Sequence, residues 1–130
     1  MEITSDQSFQ IMKQAVEKAK NIPVAVNIAI MDTAGHMKLF HRMDNAWLGS
    51  IDIAIEKAKT AMLFRMNSEE VGAFLAPGAR AYGIEGTNGG LVGFRGGMPV
   101  KWGSSILAYI GVSGGTPDED FEVATAGSHI

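Results

Sequence analysis

The sequence predicts an α/β domain of the α+β kind, a mostly antiparallel sheet of about five strands with three or four helices packed on it. Three observations carry this. Residues 24–43 alternate in side-chain size on either side of a turn, 46–64 form a helix with apolar groups on two faces, and 104–112 are apolar at both parities. Strands joined by hairpins, with no βαβ crossover between them, close into an antiparallel sheet.

From about Thr4 to Lys20, Phe9, Met12, Val16 and Ala19 recur at three- and four-residue steps opposite Lys13, Glu17 and Lys20. That is an amphipathic helix, and Pro23 forbids its continuation. In VAVNIAI (24–30), large Val24, Val26, Ile28 and Ile30 alternate with small Ala25, Asn27 and Ala29. One face of this strand meets the bulk of the core and the other is a shallow floor. DTAGH (32–36) supplies turn residues, and MKLFHRM (37–43) completes an antiparallel hairpin. On this second strand His41 shares a face with Met37, Leu39 and Met43, and Arg42 shares the other with Lys38 and Phe40.

Along the helix 46–64, with Asp44 or Asn45 as its cap, Trp47, Ile51, Ala54, Ile55, Ala58 and Met62 form one wide stripe. Ile53, Lys57, Thr60 and Phe64 form a second face. A helix apolar on two faces is covered twice, here by its own sheet and by another subunit or a ligand. Asn67 or Ser68 can cap a short helix through about Leu75, which Pro77–Gly78 breaks, and 76–90 read as a glycine-rich connection. LVGF (91–94) and MPVKW (98–102) are expected to pair across an Arg95-Gly96-Gly97 turn, and SSILAYIGV (104–112) is expected to be a central strand buried on both faces. Thr116 as N-cap, Pro117 next and Glu119 reaching back start a final helix, with Asp118 and Asp120 favoured by the helix dipole.

One hundred and thirty residues suit a single domain, 1–130. A net charge of −3 gives no basic footprint for nucleic acid or an anionic membrane surface. With no cysteine there is no disulfide, no thiolate nucleophile and no Cys-ligated metal. No stretch approaches the roughly 20 apolar residues that cross a bilayer, and the start lacks a secretory pattern, so the chain reads as cytoplasmic.

The glycine-rich GIEGTNGGLVGFRGG carries neither the Lys-Ser/Thr of a P-loop nor the strand and helix around a dinucleotide fingerprint, so turns and close backbone packing explain it better. His36, His41 and His129 do not fall at metal-site spacing, so no closed metal centre is expected. His41, on an apolar strand face, could donate a ring nitrogen to a haem iron, with Met43 pointing the same way, or simply sit near a sheet edge. Arg42 and Lys57 suit an apolar ligand bearing acid groups, or else pair with Asp44 or Asp32. Those aspartates, with Asp118 and Asp120, could act as general bases, though capping and turn chemistry accounts for each. No Ser-His-Asp triad follows from Ser113 and these histidines.

Taken in order, MDTAG (31–35), HRMD (41–44), EKAKTA (56–61), GGMP (96–99) and GVSGG (111–115) with PDEDFEVA (117–124) resemble the GlcG/HbpS family, often labelled haem-degrading. The chain is also similar to the C-terminal domain of the cobalamin adenosyltransferase PduO. The resemblance implies a profilin-like sandwich of five antiparallel strands with helices on both faces. It also implies homo-oligomers from dimers to octamers and, in some members, a haem near a subunit interface. The family's Arg-Met-Asp falls on Arg42, Met43 and Asp44, and its Lys-Ala-x-Thr-Ala on Lys57, Ala58, Thr60 and Ala61. The resemblance makes Thr60 a candidate weak haem contact. The chain departs from the pattern at Asn45, where glycine is common, and at Trp47, whose bulk could fill space left open elsewhere. Relatives beside genes for glycolate, diol or aromatic-compound breakdown suggest an accessory role in small-molecule catabolism.

The leading expectation is therefore an oligomeric binding protein for haem or another planar, acid-bearing molecule. Arg42 and Lys57 would meet the acid groups, His41 or Thr60 the metal, and Phe64 with Trp47 the apolar plane. One alternative is a small enzyme in which Arg42 anchors a carboxylate and Asp44 or Lys57 is the acid/base. The other is a structural or partner-stabilising subunit.

Overall fold

The computed structural model describes residues 2–130. Helix α1 (Ser5–Asn21) starts from Thr4, whose hydroxyl accepts from the Gln7 backbone N–H while Thr4 N–H donates to the Gln7 side chain. Its core stripe is Ser8, Ile11, Met12, Ala15 and Ala19. Phe9, expected on that stripe, is instead 58% exposed. At about 100° per residue it lies roughly 200° from Ile11, on the far side of the helix.

Strands β1 (Asn27–Met31) and β2 (Met37–Arg42) form the expected hairpin. β1 begins at Asn27 rather than Val24, because the Val24 N–H is taken by the Ala19 carbonyl at the end of α1. In the turn, the Asp32 carboxylate accepts from Ala34 N and His36 N, both at 2.9 Å. The register slips between Ile30 and Met31, which sets Met37 opposite Met31 and ends the strict alternation at Leu39.

Strands β3 (Gly97–Trp102) and β4 (Ser105–Ser113) form a second hairpin, and the sheet order is β2-β1-β4-β3, antiparallel throughout. β4 is central and buried on both faces, as its continuous apolar run requires. The sheet has four strands, not five. The expected strand 91–94 does not form, since Leu91 N–H donates to the Glu85 carbonyl and Val92 N–H to the Thr60 hydroxyl. Those donors are unavailable to a ladder. The outer edge of β3 is partly covered by the C-terminus, where Lys101 N–H donates to Ser128 O and Ile130 N–H to Lys101 O. The outer edge of β2 has no strand beside it among the described residues.

Helices lie on both faces. α1 and α4 (Pro117–Ala126) cover one, enclosing the larger core of Ile11, Ile28, Ile30, Leu107, Ile110, Val112 and Val123. α2 (Gly49–Phe64) covers the other over a thin layer of Ala29, Met31, Ala54 and Ala58, with Phe40 and Ile55 alongside. This layer is thin because the sheet presents backbone there. A Cβ on Gly111 would overlap the Ala54 carbonyl and lie 2.6 Å from Ala58 N, and one on Gly97 would overlap Lys57 backbone. α2 starts three residues later than expected. Asn45 takes a left-handed conformation (φ 68) and Leu48 is the N-cap, with no side-chain cap, so neither Asp44 nor Asn45 plays that part. α3 (Ser68–Gly72), capped by Asn67, leads into an irregular connection with one 3-10 turn at Ile84–Gly86.

Candidate ligand site

Lys57 projects from α2 into the interior and is fully buried. Its Nζ donates to Val112 O at 2.8 Å and to Asp120 Oδ2 at 2.9 Å, with the Phe94 ring centroid 5.0 Å away. Asp120 Oδ1 in turn accepts from Gly115 N at 2.9 Å. The pair joins α2 to α4, which lie on opposite faces of the sheet. Gly96 opens the passage, because a Cβ there would stand 2.9 Å from Nζ. Burial pushes the Lys57 ammonium down and the Asp120 carboxyl up from their usual ranges, and their mutual attraction opposes both shifts. The expected ion-pair partners, Asp44 and Asp32, are therefore not the ones used. Lys57 reaches no solvent-borne ligand in this fold, and its pair with Asp120 is sealed, with side-chain exposures of 1% and 4%. Asp32 is a turn residue. Burial alone would raise its carboxyl, but N–H donors from His36 and Ala34 with the His36 ring hold it below the usual range.

Thr60 is also buried, its hydroxyl accepting from Val92 N at 3.0 Å. With Lys59 Nζ donating to Asn88 O at 2.7 Å, this lays the glycine-rich connection over the second face of α2. The second cover expected from another subunit or a ligand is thus supplied, along this stretch, by the chain itself. Phe64 ends α2, at the opposite end from Trp47, and a helix of 16 residues is about 24 Å long. The two cannot wall one small pocket in a single chain. His41 pairs with Ile28 on the α1/α4 side, whereas Arg42 pairs with Asn27 on the α2 side. His41, Arg42 and Asp44 are all exposed. The residues expected to gather around one ligand are therefore spread over an edge strand, a sealed interior and a far helix end.

What the fold does bring together is at the other end of the sheet. Arg42, Asn27 and Ser113 stand in one cross-strand row on the α2 side. Beyond it opens a cleft of about 400 Å³ lined by Ala25, Asn45, Trp47, Gly114, Gly115, Thr116 and Glu119, among others. Asn27 is fully buried, its Nδ2 donates to Trp47 O at 2.9 Å, and its Oδ1 has no hydrogen-bond partner among the described residues. Asn27 escaped the sequence reading because it counted as one of the small residues of a shallow floor. The available signal was a lone carboxamide between two inward alanines, since buried polar side chains are seldom left without a task. Asp120 was named as a dipole-favoured or general-base residue, and its pairing with Lys57 escaped because its place in a first helical turn already had an explanation.

A family model described as haem-degrading protein HbpS-like matches residues 3–129. The chain belongs to the HbpS-like family. The GlcG/HbpS resemblance carried by the motifs from MDTAG to PDEDFEVA thus extends over nearly all of it. Among HbpS-like relatives, a 15.0 kDa protein in the dhaT-dhaS intergenic region of Citrobacter freundii is 41% identical over 111 residues, 84% of this chain and 78% of that protein. The corrinoid adenosyltransferase PduO of the same organism is 32% identical over 125 residues, 95% of this chain but 37% of PduO. The chain therefore spans little more than a third of that enzyme. Among solved structures, the PduOC:haem complex superposes with a TM-score of 0.91 at 28% identity, covering 100% of both chains. No helix of this HbpS-like chain, among the described residues, is long and apolar enough to cross a membrane.

Proposed function

We propose that this HbpS-like protein is an oligomeric small-molecule-binding protein, accessory to small-molecule catabolism, whose ligand is haem or another planar molecule bearing acid groups. The observation that carries this reading is the end-to-end likeness to PduOC, a protein solved with haem bound. The chain's own surface supports it. Arg42 enters no ion pair among the described residues; its cross-strand partner Asn27 donates to the Trp47 carbonyl, and Trp47 and Leu48 are 71% and 70% exposed. An exposed guanidinium and an uncovered indole at the same end of the sheet suit a flat ligand with a carboxylate at its rim. His41, on the other side of the same edge strand, and Phe64, at the far end of α2, would meet that ligand only across a subunit boundary. Lys57 and Thr60 act beneath the surface, holding α2 and the connection over it.

Titration with hemin tests the reading. A saturable Soret shift is expected, weakened about ten-fold in Arg42→Ala by loss of a charge-assisted contact and altered in position by His41→Ala. A wild-type spectrum that never saturates would overturn haem as the ligand.

A further inference from the structure

We infer that the cleft at the C-terminal end of α2 binds a free carboxylic acid with an apolar body, held by Arg65, Tyr109 and Thr33. It opens over the α2 face of the sheet at the end away from Arg42, since β1 runs from Asn27, opposite Arg42, to Met31, opposite Tyr109. Its volume is about 600 Å³, within the range of small-molecule sites. This site is independent of the Arg42 surface proposed above for haem.

Arg65, Tyr109 and Thr33 line the cleft, and none of their side chains makes an ion pair or hydrogen bond among the described residues. Tyr109 is buried but its hydroxyl is not sealed in, and the cleft is where it surfaces. Burial pushes this phenol up from its usual range and the Arg65 charge pulls it partly back. At neutral pH it is therefore a hydrogen-bond donor lying in the field of the guanidinium. No carboxylate lines the cleft, and acids on the adjoining segments are engaged: Asp32 accepts from Ala34 N and His36 N, and Glu70 Oε1 from Asn67 N. A guanidinium fork beside a phenol donor suits one planar carboxylate. With a single cation in the wall, a simple monocarboxylic acid matches better than a haem with two acid groups.

The backbone is shaped to present these groups. Arg65 holds the left-handed position that ends α2 (φ 54), where glycine is usual, although a cation one turn earlier would meet the helix dipole without that cost. On β4 the register slips at Leu107, which joins Ala108 in the larger core, so Ile106 shares the α2 face with Tyr109. Ile106, Met62 and Leu63 then form an apolar wall for the body of the acid. The turn carrying Thr33 is seated on this wall, because a Cβ on Gly35 would stand 2.6 Å from Met62 Cε.

The probes are hexanoate, its neutral counterpart hexanamide, and acetate, titrated calorimetrically into the full chain. Hexanoate is expected to saturate and to bind about ten-fold tighter than either or more, since hexanamide brings no charge to Arg65 and acetate no body to the wall. Arg65→Gln, at an exposed position, should weaken hexanoate about ten-fold and leave hexanamide unchanged, and Tyr109→Phe should weaken hexanoate several-fold with the ring kept. Arg65→Gly should lose hexanoate while raising the denaturation midpoint, a split that a purely structural arginine would not give. Hexanoate no tighter than hexanamide, or unchanged in Arg65→Gln, would overturn the inference. Stoichiometric displacement of hexanoate by hemin would also overturn it, by making the carboxylate that of a haem. Hemin that does not bind while hexanoate keeps its preference would overturn only the haem reading, so the two fail separately. If Tyr109→Phe does not fold, Arg65→Gln still decides.

Discussion

Lys57 is a surface-type side chain committed to the interior, and its energetics follow from its two acceptors and the carboxylate it neutralises. Removing one member of a buried pair leaves the other charged and unpartnered, which costs about 3–5 kcal/mol, whereas replacing both with apolar groups is often close to neutral. Urea denaturation of Lys57→Met is therefore expected to show a loss in that range, with most of it recovered in Lys57→Met/Asp120→Leu. A single-variant loss below about 1 kcal/mol would mean the pair holds nothing together. Lys57 shows how far one residue can be read from the chain. Its place on a second helix face was legible, because periodicity fixes direction. Its partner was not, because Asp120 lies 63 positions away and only the Gly96 gap lets the ammonium reach it.

Helix α2 depends on a sheet surface with almost no side chains beneath it. At Gly111 and Gly97 an added methyl meets helix backbone, which cannot rotate aside as a side chain would. Gly111→Ala is expected to lower stability by about 1–3 kcal/mol or more, and Gly49→Ala, which meets nothing within 4 Å, to leave it unchanged or slightly raised. Equal denaturation midpoints for the two variants would contradict direct helix-on-backbone packing. The shallow floor at 25, 27 and 29 foretold this closeness, since small residues on one parity leave room only for an element lying very near. The fifth strand failed for a complementary reason. LVGF has strand-like residues, but its N–H donors are claimed by Thr60 and Glu85, and no local pattern reveals what a distant hydroxyl will accept.

At the scale of the molecule, the edge of β2 and the start of α2 form one surface where polar and apolar groups remain uncovered. Arg42, Trp47 and Leu48 stand there, while Phe74, Tyr82 and Phe94 lie exposed along the connection between α3 and β3. Exposed aromatic and aliphatic groups in such number mark surfaces that meet a partner or a ligand. Light scattering is expected to give a mass that is a multiple of 13.8 kDa, reduced by Trp47→Glu with Leu48→Glu. A wild-type monomer at all concentrations would overturn assembly through this face. By itself the sequence determined the first hairpin, the four helices, the antiparallel sheet and the burial of β4, because each rests on periodicity, capping or turn chemistry within a few residues, whereas the expected pairing of 91–94 with 98–102 gave way to a hairpin between β3 and β4. Only the tertiary structure decided that Lys57 is a tie, that Thr60 holds a loop, and that Arg42 stands in a row with Asn27 and Ser113 while His41 faces away. Those outcomes depend on strand pairing and on contacts between residues tens of positions apart, and the cost of an unpaired buried charge or amide is fixed only when the fold has chosen its neighbours.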